Sequence, residues 1–181
     1  MIGPAPVGAT DVWSTSAVEP SYAFEYWREL ICDIFVQLSA VPTKRCLFAG
    51  QIVHADLAVF EISTVCAGGQ RVCRTPRLIA RAGEEYLLAS IQIKGYGRIE
   101  QDGRVAVLDP GSVAVYDSTR PYTLYFDDTF EQTVVQVPLA DMLAEAGLRD
   151  SGGVTARKLG GEGPGGVVAQ FFCGLSRIYS V

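Results

Sequence analysis

Residues 86–138 hold short alternating apolar runs cut by turn signals at close, regular intervals, and that spacing restricts the chain to an all-β sandwich or barrel. Leu87, Ala89, Ile91 and Ile93 share one face of a strand, with Ser90, Gln92 and Lys94 on the other. Asp102-Gly103 suits a two-residue type I′ hairpin, because both central positions need positive φ. Asp109-Pro110-Gly111 reads as a type II turn, with proline fixing φ and glycine taking the left-handed position. Asp127-Asp128 separates the runs 122–126 and 130–137.

The flanking segments add helices. Ser21 is a candidate N-cap for a helix carrying Phe24, Trp27, Ile31, Ile34, Phe35 and Leu38, which Pro42 should stop. Trp27 reads as core. Further β-type runs are expected at 46–52, 57–64, 70–74 and 77–81. Gly95-Tyr96-Gly97 marks a bulge or a close backbone approach, not a phosphate loop, since no helix follows it. Pro138 opens a second helix, LADMLAEA, which Gly147 ends. Residues 151–166 have the composition of a glycine-rich linker or loop. Residues 167–181 place Val168, Phe171, Phe172, Leu175 and Ile178 on a helical stripe that must dock on the barrel or on a second chain. Residues 1–18 are either a disordered tail or an arm docked through Trp13.

The totals narrow the function. The 181 residues have room for one well-buried domain, and no apolar run approaches the ~20 residues of a membrane span. Residues 1–16 lack a signal peptide's basic start and apolar centre. Five cysteines without a C-x-x-C pair favour free thiols in a reducing cytoplasm. A net charge of −5 without a basic stripe is unsuited to phosphate backbones, so nucleic acid is not an expected partner of this chain itself.

Chemistry is hard to place. His54 is the single histidine, so the imidazole-rich metal sets of barrel enzymes cannot be built. Cys66 and Cys73 flank Gly68-Gly69 and could face each other across a hairpin, which is still too few ligands. No G-x-S-x-G elbow is present, and Glu84-Glu85 and Asp127-Asp128 sit at turns. No catalytic residue, metal or cofactor is expected.

G-Y-G-R-I-E-Q-D-G-R at 95–104, L-D-P-G-S-V-A-V-Y-D-S-T-R-P-Y at 108–122 and F-E-Q-T-V-V-Q-V-P at 130–138 resemble the N-terminal regulatory domain of AraC/XylS-type transcription regulators. Phe24-Glu25-Tyr26-Trp27 and Val72-Cys73-Arg74-Thr75 fit the same variant, so the resemblance spans roughly residues 24–148. It implies a mainly β, cupin-like jelly-roll barrel with an N-terminal helix and C-terminal helices. It also implies a small-molecule effector inside the barrel, a homodimer through a helix after it, and DNA binding by a helix-turn-helix domain that this chain lacks. Residues 19–150 would be the effector-binding domain and 167–181 the dimerisation helix. In sugar-sensing members the effector contacts lie on the strand after the R-P-x turn, on the strand before the final proline, and on the arm. Those positions here are Tyr122 and Leu124, Glu131 and Thr133, and Trp13. The histidine and tryptophan side chains of the sugar binders are missing there, which points to a less polar effector. A metal-free isomerase or epimerase using Tyr and Glu, and a ligandless dimerisation module with a filled barrel, remain the alternatives.

Overall fold

The computed structural model describes residues 8–44, 46–160 and 163–179. Among the described residues eleven strands form two antiparallel sheets. The six-stranded sheet contains β1 (Thr10–Ser14), β3 (Gly50–Asp56), β4 (Glu61–Ala67), β11 (Phe130–Pro138), β6 (Tyr86–Lys94) and β9 (Val113–Asp117), in that spatial order. The five-stranded sheet contains β2 (Ser39–Pro42), β5 (Gln70–Arg74), β10 (Tyr122–Phe126), β7 (Gly97–Gln101) and β8 (Arg104–Leu108). The chain crosses between the sheets after β1, β2, β4, β5, β6, β8, β9 and β10, which makes a cupin-like jelly roll.

The turn chemistry sits where the residues place it. Asp102 and Gly103 have φ of 54° and 70° between β7 and β8. Gly111 has φ of 87°, and Ser112 N–H donates to Asp109 C=O (2.9 Å), closing the type II turn. Gly95 has φ of 70°, and a Cβ there would stand 2.6 Å from the Thr129 carbonyl oxygen, so the chain needs glycine on both counts.

Helix α1 (Ala23–Ile34) buries Trp27, Leu30 and Ile31 between the sheets. It stops earlier than its apolar stripe suggests. The Cys32 thiol accepts from Leu38 N–H and donates to Leu38 C=O, both at 3.3 Å, folding residues 35–38 back over the helix end. Ser39–Pro42 then becomes β2, an edge strand, where the missing N–H of Pro42 is tolerated. The run 77–81 is likewise not a strand. Pro76–Ile79 forms a short helix, α2, with Thr75 as N-cap and Pro76 at its first position. The strands expected at 46–52 and 57–64 are shifted forward to β3 and β4, because residues 57–60 are used as the turn between them.

The later helices are α3 (Leu139–Ala146), closed by Gly147 at φ 62°, and α4 (Pro164–Ile178). Residues 151–159 between them are pinned to the barrel. Arg104 Nε donates to Thr155 C=O (2.8 Å), Arg104 Nη2 to Gly152 C=O (2.6 Å), and Leu159 bridges Val113. Ser151 hydrogen-bonds Asp117 and Arg120. Burial alone would raise the Asp117 carboxyl, but hydrogen bonds from Ser151 and Thr119 and the charge of Arg120 hold it below the usual range. The described part of this glycine-rich stretch is therefore a docked loop rather than a free tether.

Candidate functional site

Strand alternation decides what faces the interior. On β5, Gln70, Val72 and Arg74 point inward, and on β10 so do Tyr122, Leu124 and Phe126. Facing them are Leu88, Tyr116, Gln132 and Val134 of the six-stranded sheet, with Trp27, Ile31 and Phe35 of α1 closing one side. These residues bound an interior cavity of about 50 Å³. Its wall is almost wholly apolar and, among the described residues, contains no carboxylate, histidine or thiol.

The polar groups around the cavity are few and already committed in part. Trp27 Nε1 donates to Gln70 Oε1 (2.9 Å), Gln132 Nε2 to Gln92 Oε1 (2.7 Å), and the Tyr116 hydroxyl pairs with Ser90 Oγ at 3.2 Å. The Tyr122 hydroxyl makes no hydrogen bond among the described residues, although only 4% of that residue is exposed. Burial raises the Tyr122 phenol well above its ordinary pKa, with nearby Tyr116 adding to the rise and Arg74 opposing it. The phenol is therefore a proton donor throughout the physiological range. Tyr116 stacks edge-on against Tyr122 at 4.8 Å, and its phenol is pushed up to about 12 by burial.

Of the five expected ligand contacts, Tyr122 and Leu124 line this cavity. Glu131 and Thr133 do not. The inward residues of β11 are Phe130, Gln132 and Val134, so Glu131 and Thr133 occupy the opposite face, under α4. Thr133 Oγ1 donates to Ser176 Oγ (3.3 Å), and Glu131 pairs with Lys94 at 2.6 Å. Both border a separate recess of about 310 Å³ that also holds Cys66, Cys173 and Arg177. Trp13 belongs to β1, where it pairs with Ile52 and stands 6.2 Å from the His54 ring; it is outside the cavity wall. Gln70 and Gln132 are polar wall residues that residue reading missed. Period-2 counting outward from either apolar neighbour, Val72 or Val134, would have found both.

The dimerisation set is also divided by α4. Phe172 and Leu175 turn toward the six-stranded sheet with Ala169 and Cys173, and Phe172 meets Phe60 edge-on at 5.7 Å. Val168, Phe171 and Ile178 face solvent, as does Val167. Cys66 and Cys73 do not face each other across a hairpin, since β4 and β5 lie in different sheets. Among the described residues no three His, Cys, Asp or Glu side chains come together as a metal-holding set. No described helix is long and apolar enough to cross a membrane.

Fold and cavity together define a cupin-like jelly-roll domain with an apolar interior. Residues 27–177 match the AraC-binding-like domain, and the chain belongs to that family. It is 45% identical over 130 residues to an uncharacterized protein in the nit 5′ region of Bacillus sp. (strain OxB-1), covering 72% of this chain and 50% of that protein. It is 32% identical over 149 residues to the transcriptional activator NphR of Rhodococcus sp., covering 81% of this chain and 43% of that one. The chain thus spans about half the length of these curated relatives. Among solved structures it is similar in fold to the AraC-like transcriptional activator CuxR, with a TM-score of 0.80 at 15% identity over 93% of this chain and 60% of that one.

Proposed function

We propose that this chain is the sensory part of an AraC-type regulator, in which a small, partly apolar, non-sugar molecule occupies the interior cavity. Tyr122 and Leu124 contact it from the five-stranded sheet, Gln132 from the six-stranded sheet, and Trp27 from α1. Two chains pair through the outward face of α4, and DNA is contacted by a part of the regulator other than these residues. The observation that supports this reading is the composition of the wall: α1 and both sheets all contribute to it. Filling the cavity must therefore change the packing of α1, which is what a sensor needs.

A second reading is favoured by the volume. The cavity of about 50 Å³ is far below the ~300–1,000 Å³ of drug-sized ligand sites, as a filled barrel serving only for association would be. Native mass spectrometry of the purified chain with a panel of small metabolites separates the two. The sensor reading expects a one-to-one complex, accompanied by a change in Trp27 emission. No complex with any compound, and unchanged emission, would favour the association module.

A further inference from the structure

We propose that the recess beneath the C-terminal half of α4 is a second ligand site, which takes a small zwitterion with its carboxylate on Arg177 and its ammonium on Glu131. The recess lies across the six-stranded sheet from the interior cavity, and the proposal stands whether or not that cavity holds an effector.

The floor of the recess consists of two neighbouring cross-strand rows on the outer face of that sheet. Gln51, Cys66 and Glu131 are register partners in one row, and Val53, Thr64 and Thr133 in the other. Cys173 and Arg177, one turn apart on α4, form the facing wall. A helix laid on a sheet ordinarily meets it through apolar side chains, as Ala169 and Phe172 do nearer the start of α4. Toward Arg177 the floor turns polar and the helix no longer fills the space, which leaves about 310 Å³. That volume falls within the ~300–1,000 Å³ of small-ligand sites, whereas the interior cavity of about 50 Å³ does not.

The charges around that space are not spent on each other. The Arg177 guanidinium has no hydrogen bond or ion pair among the described residues, so its whole fork of N–H donors is open. Glu131 gives Oε2 to Lys94 (2.6 Å) and keeps Oε1 without a partner among the described residues. Both charges bear on one spot: the Cys173 thiol is raised first by burial, lowered by Arg177 and raised again by Glu131. Opposite charges that face one recess without pairing suit a ligand that carries both signs. The side chains of Gln51 and Thr64, also without partners among the described residues, can take further polar groups, and Val53 and Ile93 offer apolar contact to a short carbon frame. A zwitterion held at both ends ties α4 to β11, and so steadies the helix whose outer face carries Phe171 and Ile178.

Calorimetric titration with L-leucine and γ-aminobutyrate, each against its two single-charge analogues, tests the claim. Leucinamide and butylamine lack the carboxylate, and isocaproate and butyrate lack the amine. At least one zwitterion should bind about tenfold or more tightly than both of its analogues, the scale of one charge-assisted hydrogen bond lost. Arg177→Gln should erase its advantage over the amine, and Glu131→Gln its advantage over the acid. Location is read independently: the bound zwitterion should slow iodoacetamide alkylation of Cys66 and Cys173, which border the recess, and leave that of exposed Cys46 unchanged. Equal binding of each zwitterion and its analogues overturns the charge assignment, and binding without protection of the two thiols overturns the site. Failure of both zwitterions to bind overturns the proposal, while the metabolite panel tests the interior cavity separately.

Discussion

A Cβ on Gly50 would stand 2.5 Å from Cε3 of Trp27, the fully buried ring that fixes α1 against the sheets. Neither neighbour can give way easily, since Trp27 is also held by its hydrogen bond to Gln70. Gly50→Ala should therefore cost about 1–3 kcal/mol by overpacking, read as a lower urea midpoint. A midpoint equal to wild type would mean that the ring has room to move. A different tension sits at Glu61. Burial first, then Asp56 and Glu84, push its carboxyl up to about 7. Gln136 Nε2 donates to it at 3.0 Å, but Gln136 Oε1 is buried without a hydrogen-bond partner. His54 stands 3.9 Å away and is itself lowered by burial, with Asp11 and Asp56 opposing, so it offers little compensating charge at neutral pH. An unfolded glutamate releases its proton near 4.3. The contribution of Glu61 to folding is thus fully present below that value and is lost as pH rises through about 7. Glu61→Gln should gain about 1–2 kcal/mol relative to wild type at pH 8 and much less at pH 5, on the scale of about 1.4 kcal/mol per pKa unit. An equal difference at both pH values in urea titrations would reject this account.

Elements were legible wherever a local rule dominated. The turns at Asp102-Gly103 and Asp109-Gly111, and the glycine close of α3, follow from φ requirements that few residues meet. What was not legible depended on partners distant in sequence. The end of α1 is set by a thiol clasp between Cys32 and Leu38, which an apolar stripe running on to Leu38 conceals. Thr75-Pro76 is a helix start, but the β-like run after it conceals that. On β11 the positions carried over from the resemblance, Glu131 and Thr133, lie on the opposite face from Gln132 and Val134 of the cavity wall; both faces of this central strand are covered, so polarity alone does not say which face is the interior one. The loop 151–159 shows the same dependence, since its glycine content hides its anchors on Arg104 and Asp117. Arg104→Ala should release it. Hydrogen exchange at Ala156 and Leu159, whose amides donate to Val115 and Val113 carbonyls, should then quicken about tenfold or more while β11 is unchanged. Unaltered exchange would assign the docking to Ser151 and the backbone bridges instead.

Over the whole molecule, α4 is apolar on two faces. One face, Ala169, Phe172, Cys173 and Leu175, packs on the outer side of the six-stranded sheet. The other carries Val167, Val168, Phe171 and Ile178, with Phe171 62% exposed and Ile178 70%. A helix apolar on both sides is expected to be covered on both sides. A second copy of the chain offers that cover at no cost in sequence, because a two-fold axis lets one patch serve both subunits. It also suits the regulator reading proposed above, in which two DNA-contacting parts would be held together over paired half-sites. The competing cover is a segment that the longer relatives carry beyond the matched region, and it predicts a monomer. The division of α4 dictates the variant to make: Leu175 faces the sheet and would confound the test, whereas Val168 and Phe171 do not. In sedimentation velocity at tens of micromolar the chain should run at twice its 19.5 kDa mass. Val168→Asp with Phe171→Asp should run at the single mass with its urea midpoint, measured at low concentration, little changed, since neither residue is in the core. A parent chain that is already monomeric at that concentration would assign this face of α4 to another partner.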